Sequence, residues 1–393
     1  MLPPILKIRF PVLLLSLAVL TAACLGAPVV AAEHPTSVSD PPGAETPFYK
    51  ARQIFKRGEY GRQCHSSTIT ELSNGDLLAA WWSGRFEGST DVVIKVARLL
   101  KGADSWQRAV TACDIPERFE GNPVLFSVPD GRVWLFHVVS KPELPGRVQI
   151  LFQQSKDLGR SWSEPSDFVT QSGMRTRNHP IVMPNGEILF PLHDQRAGGS
   201  VFLISSDLGK TWQKSERIQT TPGNNQPTVV SVGGGELYAL MRSWNQDPDK
   251  RFLWHSRSHD YGRTWEPATY SRVPTVSSAI EMVRLNNGHM VLAFNDGKER
   301  ERTPLNLTLS LDGGRTWKHN RALETGEGSF SYPAIIQTGA GHIHVTYSYR
   351  RRFIKHVELN EAWIGAEQQG GQTSASSGHQ AQSTSDEIER VEK

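Results

Sequence analysis

One eight-residue pattern occurs four times in the chain: Ser155-Lys-Asp157-Leu-Gly159-Arg-Ser-Trp162, Ser205-Ser-Asp207-Leu-Gly209-Lys-Thr-Trp212, Ser258-His-Asp260-Tyr-Gly262-Arg-Thr-Trp265 and Ser310-Leu-Asp312-Gly-Gly314-Arg-Thr-Trp317. By subtraction the tryptophans stand 50, 53 and 52 residues apart, and a degraded copy, Lys101-Gly-Ala-Asp104-Ser-Trp106, lies 56 before the first. A unit repeating at this period cannot bury its hydrophobic face alone and must stack on its neighbours, which is the signature of propeller blades. Each box residue has a local reason. Asp caps a tight turn, Gly takes a backbone angle that other residues resist, and Trp pins the hairpin into the blade. The boxes are therefore read as scaffold rather than as ligand sites.

Between the boxes, turn glycines introduce apolar strands: Gly75 to Trp82, Gly131 to His137, Gly186 to Pro191, Gly235 to Leu240, Gly288 to Ala293 and Gly341 to Thr346. Six such strands imply six blades. Five boxes for six blades is the count expected if the last blade is closed by strands from both ends of the chain, which removes an exposed edge. The reading is all-β, a six-bladed β-propeller with Asp-box repeats spanning residues 46–366. A content of 38% apolar and 21% charged residues supports a full core. The formal charge of +3, with no Lys/Arg run, argues against a nucleic-acid partner, so any anion site must be local.

The first residues point to export. Lys7 and Arg9 precede the apolar run Phe10 to Ala23, and Val30, Ala31 and Ala32 suit signal-peptidase cleavage before Glu33. Residues 1–32 are read as a signal peptide, which places the protein outside the cell or in the periplasm. Thr21-Ala-Ala-Cys24 resembles a lipobox, with Thr where Leu is usual, so lipid anchoring at Cys24 is the alternative. Residues 33–45 form a Pro/Ser-rich leader, and 367–393 read as a disordered polar tail. Nothing after the signal region is apolar for long enough to span a bilayer. Cys64 and Cys113 could form a disulfide in an oxidising compartment, or stand as two separate buried thiols.

With the boxes, the segments His65-Ser-Ser67, Gly84-Arg-Phe-Glu-Gly-Ser-Thr-Asp91, Asn122-Pro-Val-Leu125, Arg177-Asn-His-Pro180, Gln226-Pro227, Ser331-Tyr-Pro-Ala334 and Tyr347-Ser-Tyr-Arg350 make a more specific set. In this combination the chain resembles the sialidase (neuraminidase) superfamily, in its branch of BNR-repeat proteins. The resemblance implies an exo-acting, retaining glycoside hydrolase that releases terminal sialic acid or a related acidic sugar from a glycan or glycoconjugate. It implies no cofactor and no metal, and the chain is expected to work as a monomer.

Sialidases hold the sugar carboxylate with three arginines, protonate the leaving oxygen with an Asp, and attack with a Tyr that a Glu assists. A neutral phenol suits an anionic sugar because it repels the substrate carboxylate less than a second carboxylate would. By position, Asp91 is the acid/base candidate, with Glu87 its rival in the same loop, and Arg85 lies near the ring. Arg242 and Arg302 fall where the family keeps its second and third carboxylate anchors, and fork-shaped guanidiniums suit that grip. Tyr332 falls where the family keeps its nucleophile, and a phenol needs a base or a cation beside it to attack.

Two members of the family set are absent. No Arg-Ile-Pro signature stands near Cys64-His65-Ser66, so His65 occupies the first anchor position. The assisting Glu aligns with Gln226, whose amide is no base, leaving Glu281 as another source of charge. His65, His179, His193, Arg177 and Asn178 form a polar set at blade starts, expected to line the pocket. The histidines lack short metal-ligand spacing. Two further readings stay open: a glycan-binding propeller without catalysis, and a polysaccharide lyase or hydrolase acting on another acidic sugar.

Overall fold

Each of the four intact boxes closes the turn after the third strand of its blade in the same way. In the first intact copy the Ser155 hydroxyl donates to Asp157 at 2.7 Å and accepts the Gly159 N–H at 2.7 Å, while Asp157 accepts the Ser161 N–H at 2.9 Å. Leu158, Leu208 and Tyr261 at the fourth box position, and the glycine after each, all have positive φ. The glycine is required by space as well as by conformation. A Cβ on Gly159, Gly209, Gly262 or Gly314 would come within 2.6, 2.5, 2.3 or 2.6 Å of Leu78, Trp134, Leu189 or Tyr238, all on the preceding blade. Each box is thus a staple between consecutive blades.

The structure, a computed structural model, describes residues 45–140, 147–297 and 301–366. The expected signal peptide, Cys24, nearly all of the leader and the tail lie outside these residues. The described strands form six antiparallel sheets, five of four strands and a third-blade sheet of six, four of them only two residues long. The first five blades occupy residues 63–113, 120–169, 174–219, 224–274 and 281–324. The sixth takes Phe330–Gln337, Ile343–Tyr349 and Phe353–Leu359 from one end of the chain and Tyr49–Gln53 from the other, with Tyr49 opposite Leu359. A hydrophobic cluster fills each seam between neighbouring blades, including the seam between the sixth and the first. Cys64 and Cys113 are free and buried, each in a different seam, so they are two separate thiols. No helix among the described residues is long and apolar enough to cross a membrane.

Two irregularities position the site. First, the innermost strands of four blades carry a one-residue bulge near their start, at His65/Thr68, Gly121/Val124, Asn225/Thr228 and Ser331/Ala334. The bulged residues Ser66, Asn122, Gln226 and Tyr332 have φ of 57°, 45°, 49° and 57°. Such angles cost about 1–3 kcal/mol each for non-glycine residues and re-aim the side chain out of the strand alternation.

Second, the third blade's inner strand is broken into Met174–Arg175 and Ile181–Val182, and the residues between them cross the propeller axis. Thr176 exchanges hydrogen bonds with Asn122 of the second blade. Arg177 donates to the backbone oxygens of Ser67 and Pro333, on the first and sixth blades. Asn178 donates to Gln226 and Pro227 on the fourth, and His179 meets Glu281 on the fifth and Thr68 on the first. This short segment bonds to all five other blades and plugs the axis.

Candidate active site

Above the plug a cavity of about 540 Å³ opens on the face opposite the box turns. The opposition follows from strand direction: the bulges open the inner strands, whereas the boxes follow the third strands, which end at the other rim. The bulged residues Asn122, Gln226 and Tyr332 line the cavity, joined by Arg175, His193 and Arg242 from blade walls and by Glu87 from the first blade's loop.

Tyr332 sits at its centre, 9% exposed. The guanidinium carbons of Arg177 and Arg302 lie 5.1 and 5.2 Å from its ring centroid, and the His65 ring lies 4.2 Å away. Its hydroxyl faces the Gln226 amide nitrogen at 3.4 Å, while the Gln226 oxygen accepts from Arg242 at 3.1 Å. Burial alone pushes the phenol up, but Arg242, Arg302 and the Gln226 bond outweigh it, and the net shift is below the usual tyrosine value. A tyrosine at positive φ, ringed by cations, with a depressed ionisation is the arrangement a phenolate nucleophile requires.

The residues expected to anchor a carboxylate divide as follows. Arg242 and Arg302 both converge on Tyr332. His65, at the first anchor position, is buried, bonded to the Ser348 hydroxyl at 2.7 Å, and pushed well below the ordinary histidine range by burial and by Arg351, Arg302 and Arg177. A neutral imidazole cannot replace a guanidinium as an anion grip. A further guanidinium comes instead from Arg175, which lines the cavity from the third blade and which the sequence reading passed over. Arg351, also passed over, holds Glu87 through a 2.8 Å ion pair.

Several expected residues take other places. Asp91 is not among the cavity-lining residues; it is bonded to Ser89 and to Arg85 at 3.1 Å, at the exposed base of its loop. Slight burial pushes its carboxyl up, but Ser89 and Arg85 outweigh this and hold it below the ordinary value. Arg85 is correspondingly spent on Asp91, and the loop carboxylate that reaches the cavity is Glu87. Glu281 does not reach the Tyr332 hydroxyl. One of its oxygens accepts from the backbone and ring nitrogens of His179, both at 2.8 Å, and the other from the Ile335 N–H at 3.0 Å. Burial raises its carboxyl, yet His179 and Arg177 win and keep it ionised. Arg177, Asn178 and His179 belong to the plug, with the terminal guanidinium nitrogens of Arg177, the Asn178 amide nitrogen and the His179 ring bonded to other blades, so they form the floor beneath Tyr332 and not the contact surface.

The family model described as a BNR repeat-like domain matches residues 75–345. A sialidase of Micromonospora viridifaciens is 24% identical over 398 residues, an alignment covering 88% of this chain and 59% of that protein. A sialidase of Bacteroides fragilis (strain YCH46) is 27% identical over 218 residues, covering 51% of this chain and 39% of its own. The chain thus spans less than two thirds of either relative. Among solved structures, a Hadza microbial sialidase superimposes with a TM-score of 0.67 at 18% identity, over 79% of this chain and 68% of its own. At that identity the likeness shows the shared propeller.

Proposed function

The chain belongs to the BNR repeat-like domain family, and from that premise we propose that it is an exo-acting glycoside hydrolase which releases a terminal acidic sugar, sialic acid first among the candidates. The observation that carries this reading is the burial of Tyr332 beside Arg242 and Arg302 at an axial cavity that Arg242 and Arg175 line and that is sized for a monosaccharide with its first aglycone group. That both curated relatives are sialidases supports the same direction.

In the proposed cycle the guanidiniums hold the sugar carboxylate and the Tyr332 oxygen attacks the anomeric carbon. The glycosidic bond breaks as Glu87 gives its proton to the leaving oxygen. Water, deprotonated by Glu87, then attacks the same carbon and releases the phenolate, so configuration is retained. Gln226 donates a hydrogen bond to the developing phenolate rather than accepting its proton, which goes to solvent before substrate binds. Arg177 and the plug fix the ring from below. On this reading the protein is exported and works as a monomer without a cofactor.

Incubation with sialyl and uronyl glycosides, followed by chromatography of the products, tests the proposal. Free acidic monosaccharide with retained anomeric configuration supports it. An unsaturated uronate absorbing in the ultraviolet, or binding without product across the panel, replaces it with the lyase or the binding-module reading.

A further inference from the structure

The seam between the first and second blades holds a polar cluster that the cavity does not use. Cys113 ends the first blade's outer strand, Glu120 opens the second blade's inner strand, and His137 lies on the strand beside it. Phe119 and Val138, the chain neighbours of Glu120 and His137, line the cavity, so strand alternation turns Glu120 and His137 away from it. Both are 0% exposed and Cys113 is 5% exposed, among Ile94, Leu125 and Leu135. Their sulfur, carboxylate and ring-nitrogen atoms all lie within 4.8 Å of one another.

Neither carboxylate oxygen of Glu120 and neither ring nitrogen of His137 has a hydrogen-bond partner. The Cys113 thiol and the backbone of Ile94 and Ile115 reach Glu120 only weakly, and burial outweighs them. Leaving a carboxyl group and an imidazole unpaired in an apolar seam is costly, and a protein keeps such groups when something else satisfies them.

We infer that Cys113, Glu120 and His137 form a structural site for a divalent transition-metal ion, zinc above all, that ties the first blade to the second. One thiolate, one imidazole and one carboxylate are a borderline-soft set that suits zinc and disfavours calcium and magnesium. A thiolate and a carboxylate together cancel the double positive charge, so the filled seam carries no net charge. Zinc bonds of about 2.0–2.3 Å put tetrahedral ligand atoms roughly 3.5 Å apart. Binding therefore requires the ligand atoms, now within 4.8 Å of one another, to draw together by side-chain rotation, with the second Glu120 oxygen or a water completing the shell. Binding releases the thiol proton and any proton on the carboxyl group to solvent. Burial, which pushes the Glu120 carboxyl up to about 7 and the Cys113 thiol well up, is the penalty that the ion offsets.

The test uses the full-length chain, stripped with chelator and titrated with Zn²⁺ and separately with Co²⁺. Elemental analysis is expected to find close to one zinc per chain after dialysis, and zinc is expected to raise the unfolding temperature. Cobalt should give a thiolate-to-metal charge-transfer band and the strong visible bands of a four-coordinate ion. Cys113→Ala, which suits the apolar seam, should abolish the charge-transfer band while the circular dichroism is unchanged, and His137→Gln should lower the zinc content. The wild-type cobalt spectrum stands even if a variant fails to fold. Wild-type protein without bound zinc and without a charge-transfer band overturns the site, as does undiminished zinc in both folded variants.

Discussion

The Gln226 side-chain amide presents its nitrogen to the Tyr332 hydroxyl at 3.4 Å because its oxygen is taken by Arg242 at 3.1 Å, and a guanidinium can only donate. Where the resemblance leads one to expect a base, this pocket has a hydrogen-bond donor. The donor favours the ionised phenol, in concert with Arg242 and Arg302.

Gln226→Glu is therefore expected to shift the acid limb of the kcat/KM pH profile to higher pH. A carboxylate there removes the donor, adds a like charge beside the phenolate and so disfavours its ionisation. An acid limb that stays in place or moves to lower pH would show that Tyr332 is not ionised in the way described.

Arg242→Ala and Arg302→Ala should each lower kcat/KM for an acidic substrate by about 2–4 kcal/mol, roughly thirtyfold to a thousandfold. The matched neutral glycoside, lacking the carboxylate, should lose only the part that comes from the weakened ionisation of Tyr332. Equal losses on both substrates would remove the carboxylate-anchor role.

Glu87 and Asp91 share one loop, but only Glu87 lines the cavity. Glu87→Gln should lower kcat about a hundredfold or more on a sugar with a poor leaving group and much less on an aryl glycoside, the pattern of a lost general acid. Asp91→Asn should leave turnover within a few fold. The reverse ranking would restore the assignment of Asp91 made from sequence.

The blades were legible in sequence because an Asp box is a local object: the turn, its capping Asp and its Trp lie within eight residues. Tyr332, Gln226, Arg242 and Arg302 were assigned through the family resemblance, at the positions where that family keeps its site residues. A direct signal was also present, since Asn122, Gln226 and Tyr332 all precede a proline in an inner strand, and all three turn out to be bulged residues facing the cavity. Arg175 carried no such signal, because its strand is only two residues long and precedes the chain's crossing of the axis. Arg177, Asn178 and His179 were expected to face the substrate. Their bonds to other blades depend on that crossing, which no local pattern encodes. Cys113, Glu120 and His137 come from three separate strands, so ligand spacing along the chain could not reveal them.

Buried neutral histidines make the fold acid-sensitive. Burial, aided by Arg175 and Arg242, pushes His193 down to about 3, and burial pushes His344 down to about 4. Both lie below the unfolded value of about 6.5. Their contribution is complete above that pH and is lost as pH falls toward 4, where the unfolded chain binds protons that the folded one refuses. The thermal midpoint should fall steadily from pH 6.5 to pH 4, and a flat profile would contradict this account of the buried histidines.

The central claim is that Tyr332 attacks the sugar, and trapping tests it most directly. Incubation with a 3-fluorosialosyl fluoride, whose C2 fluoride is the leaving group and whose C3 fluorine slows hydrolysis of the intermediate, followed by peptide mass spectrometry, should find one sugar on the peptide containing Tyr332 and none in Tyr332→Phe, while Tyr332→Phe still binds a sialic-acid analogue. A wild-type protein that turns over sialosides without forming this adduct, or a Tyr332→Phe variant that keeps its activity, would contradict the claim.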